Sequence, residues 1–209
     1  MRLAVLANKK LKEEFVFKKI PLDVDLIFAD SPEALLSIKK ADAYFDLEFE
    51  MKEKRIRDLS TLLPSLVFVN SVIETLGDIN QPFIRINAWP TLLKRDICEI
   101  AAGPGQKETA IRLFDDLNWA YQFVLDTPGM VSPRIIAMII NEAYYTYEEK
   151  VSSKNEIDIA MKLGTNYPYG PFEWAEMIGL KNIYNLLSRL KKTESSYTIS
   201  KSLETEINQ

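Results

Sequence analysis

The chain has 209 residues, 47% of them apolar and 27% charged, which is enough for one large domain or two small ones with a buried core. Its net charge of −4 leaves no basic footprint, so nucleic acid is set aside as a partner. One cysteine, Cys98, excludes disulfide scaffolds and cysteine-rich zinc sites, and the lack of any histidine removes Ser-His-Asp and Cys-His catalysis and every histidine-based metal centre.

Short apolar runs open the chain. Leu3–Ala7, Val24–Ala29, Ala43–Leu47, Leu66–Asn70, Phe83–Ala88, Ile97–Ala101 and Tyr121–Leu125 read as strands, being brief and rich in Val, Ile, Phe or Tyr. Helical patterns lie between several of them. Glu33–Lys40 follows Ser31-Pro32, which has the form of an N-cap with proline at the first helical position. Thr109–Leu117 sets Ala110, Leu113, Phe114 and Leu117 on one stripe. Strands alternating with helices favour a parallel, doubly wound sheet.

The pattern changes after the turn signal Asp126-Thr-Pro-Gly. Ile135–Ile140 is apolar on nearly every side, as in a central buried helix. Ser153 and Glu156 have the spacing of a capping box, and Ile157, Ala160, Met161 and Gly164 follow as an apolar stripe. Gly170-Pro171 opens a further helix with Gly179 near its end, and Lys181–Lys192 supplies a last amphipathic one. The polar tail from Lys192 is expected to be partly disordered. No run is long enough to cross a bilayer, so a cytoplasmic protein with no membrane partner is expected.

The stretch from Glu156 to Leu180 resembles the C-terminal signature of the 3-hydroxyacyl-CoA dehydrogenases, roughly "D-x-A-M-x-x-G … Y-P-x-G-P-F-x … G-L". Asp158, Ala160, Met161, Gly164, Tyr167, Pro168, Gly170, Pro171, Phe172, Gly179 and Leu180 fall in place. Asp126–Arg134 resembles the family's domain junction, "D-x-P-G-F-V-x-N-R". Further upstream, Ala41–Lys52 resembles "A-D-x-V-I-E-A-x-x-E-x-x-x-K", Leu66–Ser71 resembles "a-T-N-T-S-S", and Phe83–Pro90 with Ile97–Ile100 resembles "G-x-H-F-F-N-P … L-V-E-V". The resemblance implies an α/β Rossmann-like N-terminal domain with a mostly parallel, shortened sheet over residues 1–127, followed by an all-α C-terminal domain over 128–209. The family's N-terminal domain is longer than this one. The missing piece lies between the first strands and Ala41 and includes a helical hairpin that reaches toward CoA.

The family's reaction moves a hydride between NAD and an acyl-CoA, with a His-Glu pair handling the proton. By resemblance the glutamate falls on Glu99 and the histidine on Asn87, which cannot accept a proton near neutrality. The family's active-site serine falls on Val72 and its junction asparagine on Pro133. The turn after the first strand, Leu6–Lys12, has no glycine, so backbone cannot come close to a pyrophosphate there. No cofactor is therefore expected, with NAD the one implied if the family activity survives. Asp30 stands where an acid could bind a ribose, or simply starts a helix with Ser31-Pro32. Glu50 and Asn70 fall at cofactor-side positions of the family pattern, although Glu48, Glu50, Lys52 and Glu53 also read as a solvated charged loop. Glu99 itself reads either as an acid facing a cleft or as a solvated strand residue. The aromatic group Tyr144, Tyr145, Tyr147, Tyr167, Tyr169, Phe172 and Trp174 suits core and interface packing or an acyl pocket. The implied partners are a second copy of the chain, docked through the helical domain with a hinge near Asp126–Gly129, and an acyl-CoA-type small molecule.

Overall fold

The computed structural model describes residues 1–208, and the chain divides into two compact units, residues 1–130 and 131 onward. The first unit contains all seven strands: β1 (Arg2–Leu6), β2 (Asp25–Ala29), β3 (Ala43–Asp46), β4 (Leu66–Val69), β5 (Ile84–Ile86), β6 (Ile97–Ala102) and β7 (Ala120–Phe123). They form one sheet in the order β2-β1-β3-β4-β5-β6-β7. Every neighbouring pair is parallel except β5 and β6. That exception follows from the connection: residues 87–96 hold no crossover helix, and a parallel return needs one.

Helices cover both faces, and strands buried on two sides read as unbroken apolar runs. On one face α1 (Lys9–Phe17) and α5 (Pro104–Asp116) bring Leu11, Phe15, Ala110, Leu113 and Phe114 against Leu3, Val5, Phe45, Phe68 and Ile100. The rings of Phe45 and Phe68 stack at 4.4 Å, and Phe15 meets Phe45 edge-on at 5.3 Å. On the other face α2 (Pro32–Ser37) and α3 (Glu53–Ser60) bring Leu35 and Leu59 against Ala4, Leu6, Tyr44 and Val69. A short α4 (Leu76–Ile79) begins at a Thr75–Asp78 capping box. Between β2 and β3 the chain has only α2 and a brief loop, which leaves β2 as the sheet edge.

The second unit is helical: α6 (Ser132–Glu148), α7 (Lys154–Thr165), α8 (Pro171–Ile178), α9 (Leu180–Thr193) and α10 (Lys201–Ile207). Three expectations need correction. The helix α6 is not buried all round: Ile136, Ala137 and Ile140 are buried, but Ile135 is 55% exposed and Met138 is exposed as well. In α7 the inward face carries Ile157 and Asp158, while Ala160 and Gly164 face solvent beside exposed Ile159 and Leu163. The phase is set by Asp158, which turns inward to cap α8, and an apolar-stripe reading gives no weight to an aspartate. The tail, expected to be partly disordered from Lys192, is helical over residues 201–207. It forms α10, seated by fully buried Leu203 and by hydrogen bonds that fasten it to α6. Asn141 donates to the Thr198 carbonyl and accepts from the Ser200 amide, and the Ser200 hydroxyl donates to Glu148.

Candidate functional site

Strand order reverses between β1 and β3, the place where doubly wound sheets hold ligands beyond the carboxyl ends of their strands. A cleft of about 430 Å³ opens there, lined by Leu6, Glu33, Glu48, Glu50, Lys52 and Arg55 among others. Arg55 of α3, on its lining, forms an ion pair with Asp46 at the end of β3, with Nε to Oδ2 at 2.7 Å and Asp46 fully buried. Burial pushes the Asp46 carboxyl above the usual aspartate range even though the Arg55 hydrogen bond pulls the other way. At the rim Glu50 pairs with Lys52 at 2.5 Å, which holds the Glu50 carboxyl below its ordinary value.

The residues at this cleft do not fit a dinucleotide pyrophosphate. Such a site needs bare backbone and open N–H groups at the first helix N-terminus. Here the turn after β1 is Ala7-Asn8, and the first glycine of the chain is Gly77. The Asn8 side chain itself accepts from the Leu11 amide at 3.1 Å, using a donor that a phosphate would need. The carboxylates Glu33, Glu48, Glu50 and Asp58 on the lining outnumber Lys52, Lys54 and Arg55. Asp30 does not line the cleft; it pairs with Lys12 at 2.6 Å on the surface, next to Ser31, whose hydroxyl caps α2 through the Ala34 amide.

A second group of polar residues lies on β5 and β6. The antiparallel register sets Arg85 opposite Ala101 and Ile86 opposite Ile100. It continues to Asn87 and Glu99, whose backbones bond at 3.0 Å from the Asn87 amide to the Glu99 carbonyl. Directly opposed residues project to the same face with Cβ atoms about 5 Å apart. The two residues are thus neighbours, and they are only 4% and 8% exposed. The Asn87 carboxamide oxygen accepts from the Trp89 amide at 3.4 Å. Asn70 is committed to the backbone: its amide group donates to the carbonyls of Leu47 and Ala88, and its oxygen accepts from the Ala88 amide. It clasps the ends of β3 and β5 together.

One residue that sequence reading passed over shares this face, two positions before Asn87. Arg85 is fully buried and stands where the family pattern has glycine. Burial lowers its guanidinium pKa, opposed by its bond to Asp126. An arginine inside an otherwise apolar strand was the available signal.

In the helical unit the family signature has a mechanical meaning. The Asp158 carboxylate accepts from the amides of Phe172 and Glu173 at the start of α8, at 2.8 and 3.2 Å. Glu173 accepts from the Gly170 amide and pairs with Lys162. The aromatic residues form packing contacts: Tyr144 and Tyr147 meet Phe172, and Tyr167 and Tyr169 meet Trp174. The Lys154 ammonium sits 5.1–5.2 Å from the rings of Tyr144, Tyr147 and Phe172.

Comparison with known proteins gives a consistent family. Residues 129–208 match the model of the 3-hydroxyacyl-CoA dehydrogenase C-terminal domain. The chain is 33% identical over 174 residues to a 3-hydroxybutyryl-CoA dehydrogenase of Clostridioides difficile, covering 80% of this chain and 59% of that one. It is 30% identical over 159 residues to the 3-hydroxyadipyl-CoA dehydrogenase of Escherichia coli (strain K12), covering 72% of this chain and 32% of that one. The chain therefore spans about a third to three fifths of the length of these relatives. The crystal structure of (S)-3-hydroxybutyryl-CoA dehydrogenase from Ralstonia eutropha has the same fold, with a TM-score of 0.76 at 17% identity over 99% of this chain and 93% of that one. With the Asp158–Gly170 signature in place and a Rossmann-like sheet followed by a helical unit, the chain belongs to the 3-hydroxyacyl-CoA dehydrogenase family.

Proposed function

We propose that this family member has lost most or all NAD-dependent dehydrogenase activity. In this reading it serves in the cytoplasm as a homodimer, either as a binder of an acyl-CoA-type ligand or as a structural or regulatory homologue. The observation that carries the reading is the β1–α1 turn, where Asn8 caps its own helix in place of a glycine cradle. Asn87 adds to it, because loss of a general base typically costs a factor of roughly 10²–10⁴ in rate. Among the described residues no helix is long and apolar enough to cross a membrane, which is compatible with a cytoplasmic role.

The dimer is supported by apolar side chains left in solvent: Val131 just before α6, Ile135 and Met138 on α6, and Ile159 and Leu163 on α7. A second reading, an active dehydrogenase with a rebuilt site, is favoured by one observation: Glu99 still faces the position that carries the family's base. An NADH absorbance assay with acetoacetyl-CoA separates the two readings. Negligible turnover is expected. Robust turnover abolished by Glu99→Gln overturns the loss of activity and establishes the rebuilt site, with NAD as its cofactor.

A further inference from the structure

Arg85 has no route to water, yet it is not idle. Its Nε donates to the Ser71 carbonyl at 2.7 Å, and Nη2 donates to the Val72 carbonyl at 3.0 Å. Nη1 donates to the Asp126 carboxylate at 2.5 Å, and both terminal nitrogens reach the Thr127 carbonyl at 3.3 Å. A guanidinium has five N–H groups, and these contacts use all five. Two pieces of chain far apart in sequence are therefore held by one side chain: the loop after β4 and the segment after β7. The segment is fastened twice more. Asp126 accepts from the Leu76 amide at the start of α4, and the Gly129 amide donates to the Val72 carbonyl at 2.8 Å.

We infer that Arg85 is a built-in strap, which welds residues 126–130 to the sheet across the face bearing Asn87 and Glu99, so that this part of the junction is not a hinge. The energetics favour a single state. Pulling the segment away would take the Asp126 carboxylate and the Thr127 carbonyl from a fully buried guanidinium and leave its charge uncompensated, and breaking a buried, hydrogen-bonded charge is among the costliest local changes. The compact sheet unit accordingly extends to Met130, three residues past the boundary that turn chemistry suggested. On this inference the hinge expected near Asp126–Gly129 lies further along the chain. The strap rests on protein–protein contacts alone and is independent of whether any ligand binds.

Amide hydrogen exchange on the full chain tests this. Neither Leu76 nor Gly129 donates its amide to Arg85, so both report on the strap indirectly. In Arg85→Met their exchange is expected to quicken by tenfold or more, while the Val5 and Phe45 amides in the central strands change far less. Should Arg85→Met fail to fold, Asp126→Asn keeps the arginine and alters only a partly exposed partner, and Gly129 is expected to lose protection in the same selective way. The strap is overturned if Gly129 exchanges at the wild-type rate in the folded variant, or if it quickens only by the factor seen for Val5.

Discussion

Gly170 lies against the carboxyl group of Asp158: a Cβ placed on Gly170 would stand 2.3 Å from the Asp158 side chain. The glycine exists so that the aspartate can come close enough to cap α8. Because Asp158 is buried and holds two backbone amides, it cannot swing away cheaply. Gly170→Ala is expected to destabilise the chain by about 1–3 kcal/mol, the usual cost of overpacking. The double variant Asp158→Ala/Gly170→Ala is expected to lose less than the sum of the two single changes, since removing the aspartate removes the clash. Urea denaturation of the four proteins checks this, and strict additivity would contradict the contact.

The capping box of α7 should be sensitive to acid. Glu156 accepts from the Ser153 hydroxyl, the Ser153 amide and the Ser152 hydroxyl, which together hold its carboxyl down at about 2 against an ordinary 4.5. A depressed folded value means that the stabilisation is complete above the unfolded pKa and is lost as the pH falls through the folded one. Wild-type stability is therefore expected to decline more steeply from pH 5 to pH 2 than that of Glu156→Gln, which carries no titrating group there. Thermal melts across that range decide it; parallel profiles would remove the role of Glu156.

The Asp46–Arg55 pair, whose arginine lines the switch-point cleft, should be costly to break from one side. Arg55→Ala leaves a buried carboxylate uncompensated and is expected to cost about 3–5 kcal/mol. Asp46→Asn/Arg55→Met removes both charges and is expected to cost clearly less. Equal losses in denaturant unfolding would show that packing, not charge, governs the site.

The dimer can be read from light scattering at micromolar concentration. A homodimer is expected, and a permanent one should bury on the order of 1,600 Å². Charges placed on the exposed apolar positions, Ile135→Glu with Leu163→Glu, are expected to give a folded monomer. A wild-type monomer would end the dimer proposal, and a dimer untouched by both charges would move its interface elsewhere.

All seven strands were legible in the sequence because buried parallel strands are short apolar blocks, and the caps at Ser31, Ser153 and Gly170 were legible because capping is local chemistry. What escaped was decided by distant partners. The helix α1 is rich in lysine and starts on Asn8, and its first turn read only as part of a turn without glycine. The phase of α7 is set by Asp158 reaching α8, and α10 is set by Asn141 and Glu148 reaching back from α6. Of the site, family spacing set Asn87 and Glu99 at the positions of the His-Glu pair, and the register sets the two residues opposite each other. Arg85 was not found, because nothing local says which carbonyls a strand arginine will meet.

On the proposed reading the β1–α1 turn no longer holds a dinucleotide. Calorimetric titration of the full chain with NADH tests it most directly. No saturable binding in the micromolar range is expected, since Asn8 already holds the Leu11 amide and no glycine opens the backbone. A dissociation constant in the low micromolar range would contradict the proposed loss of NAD binding.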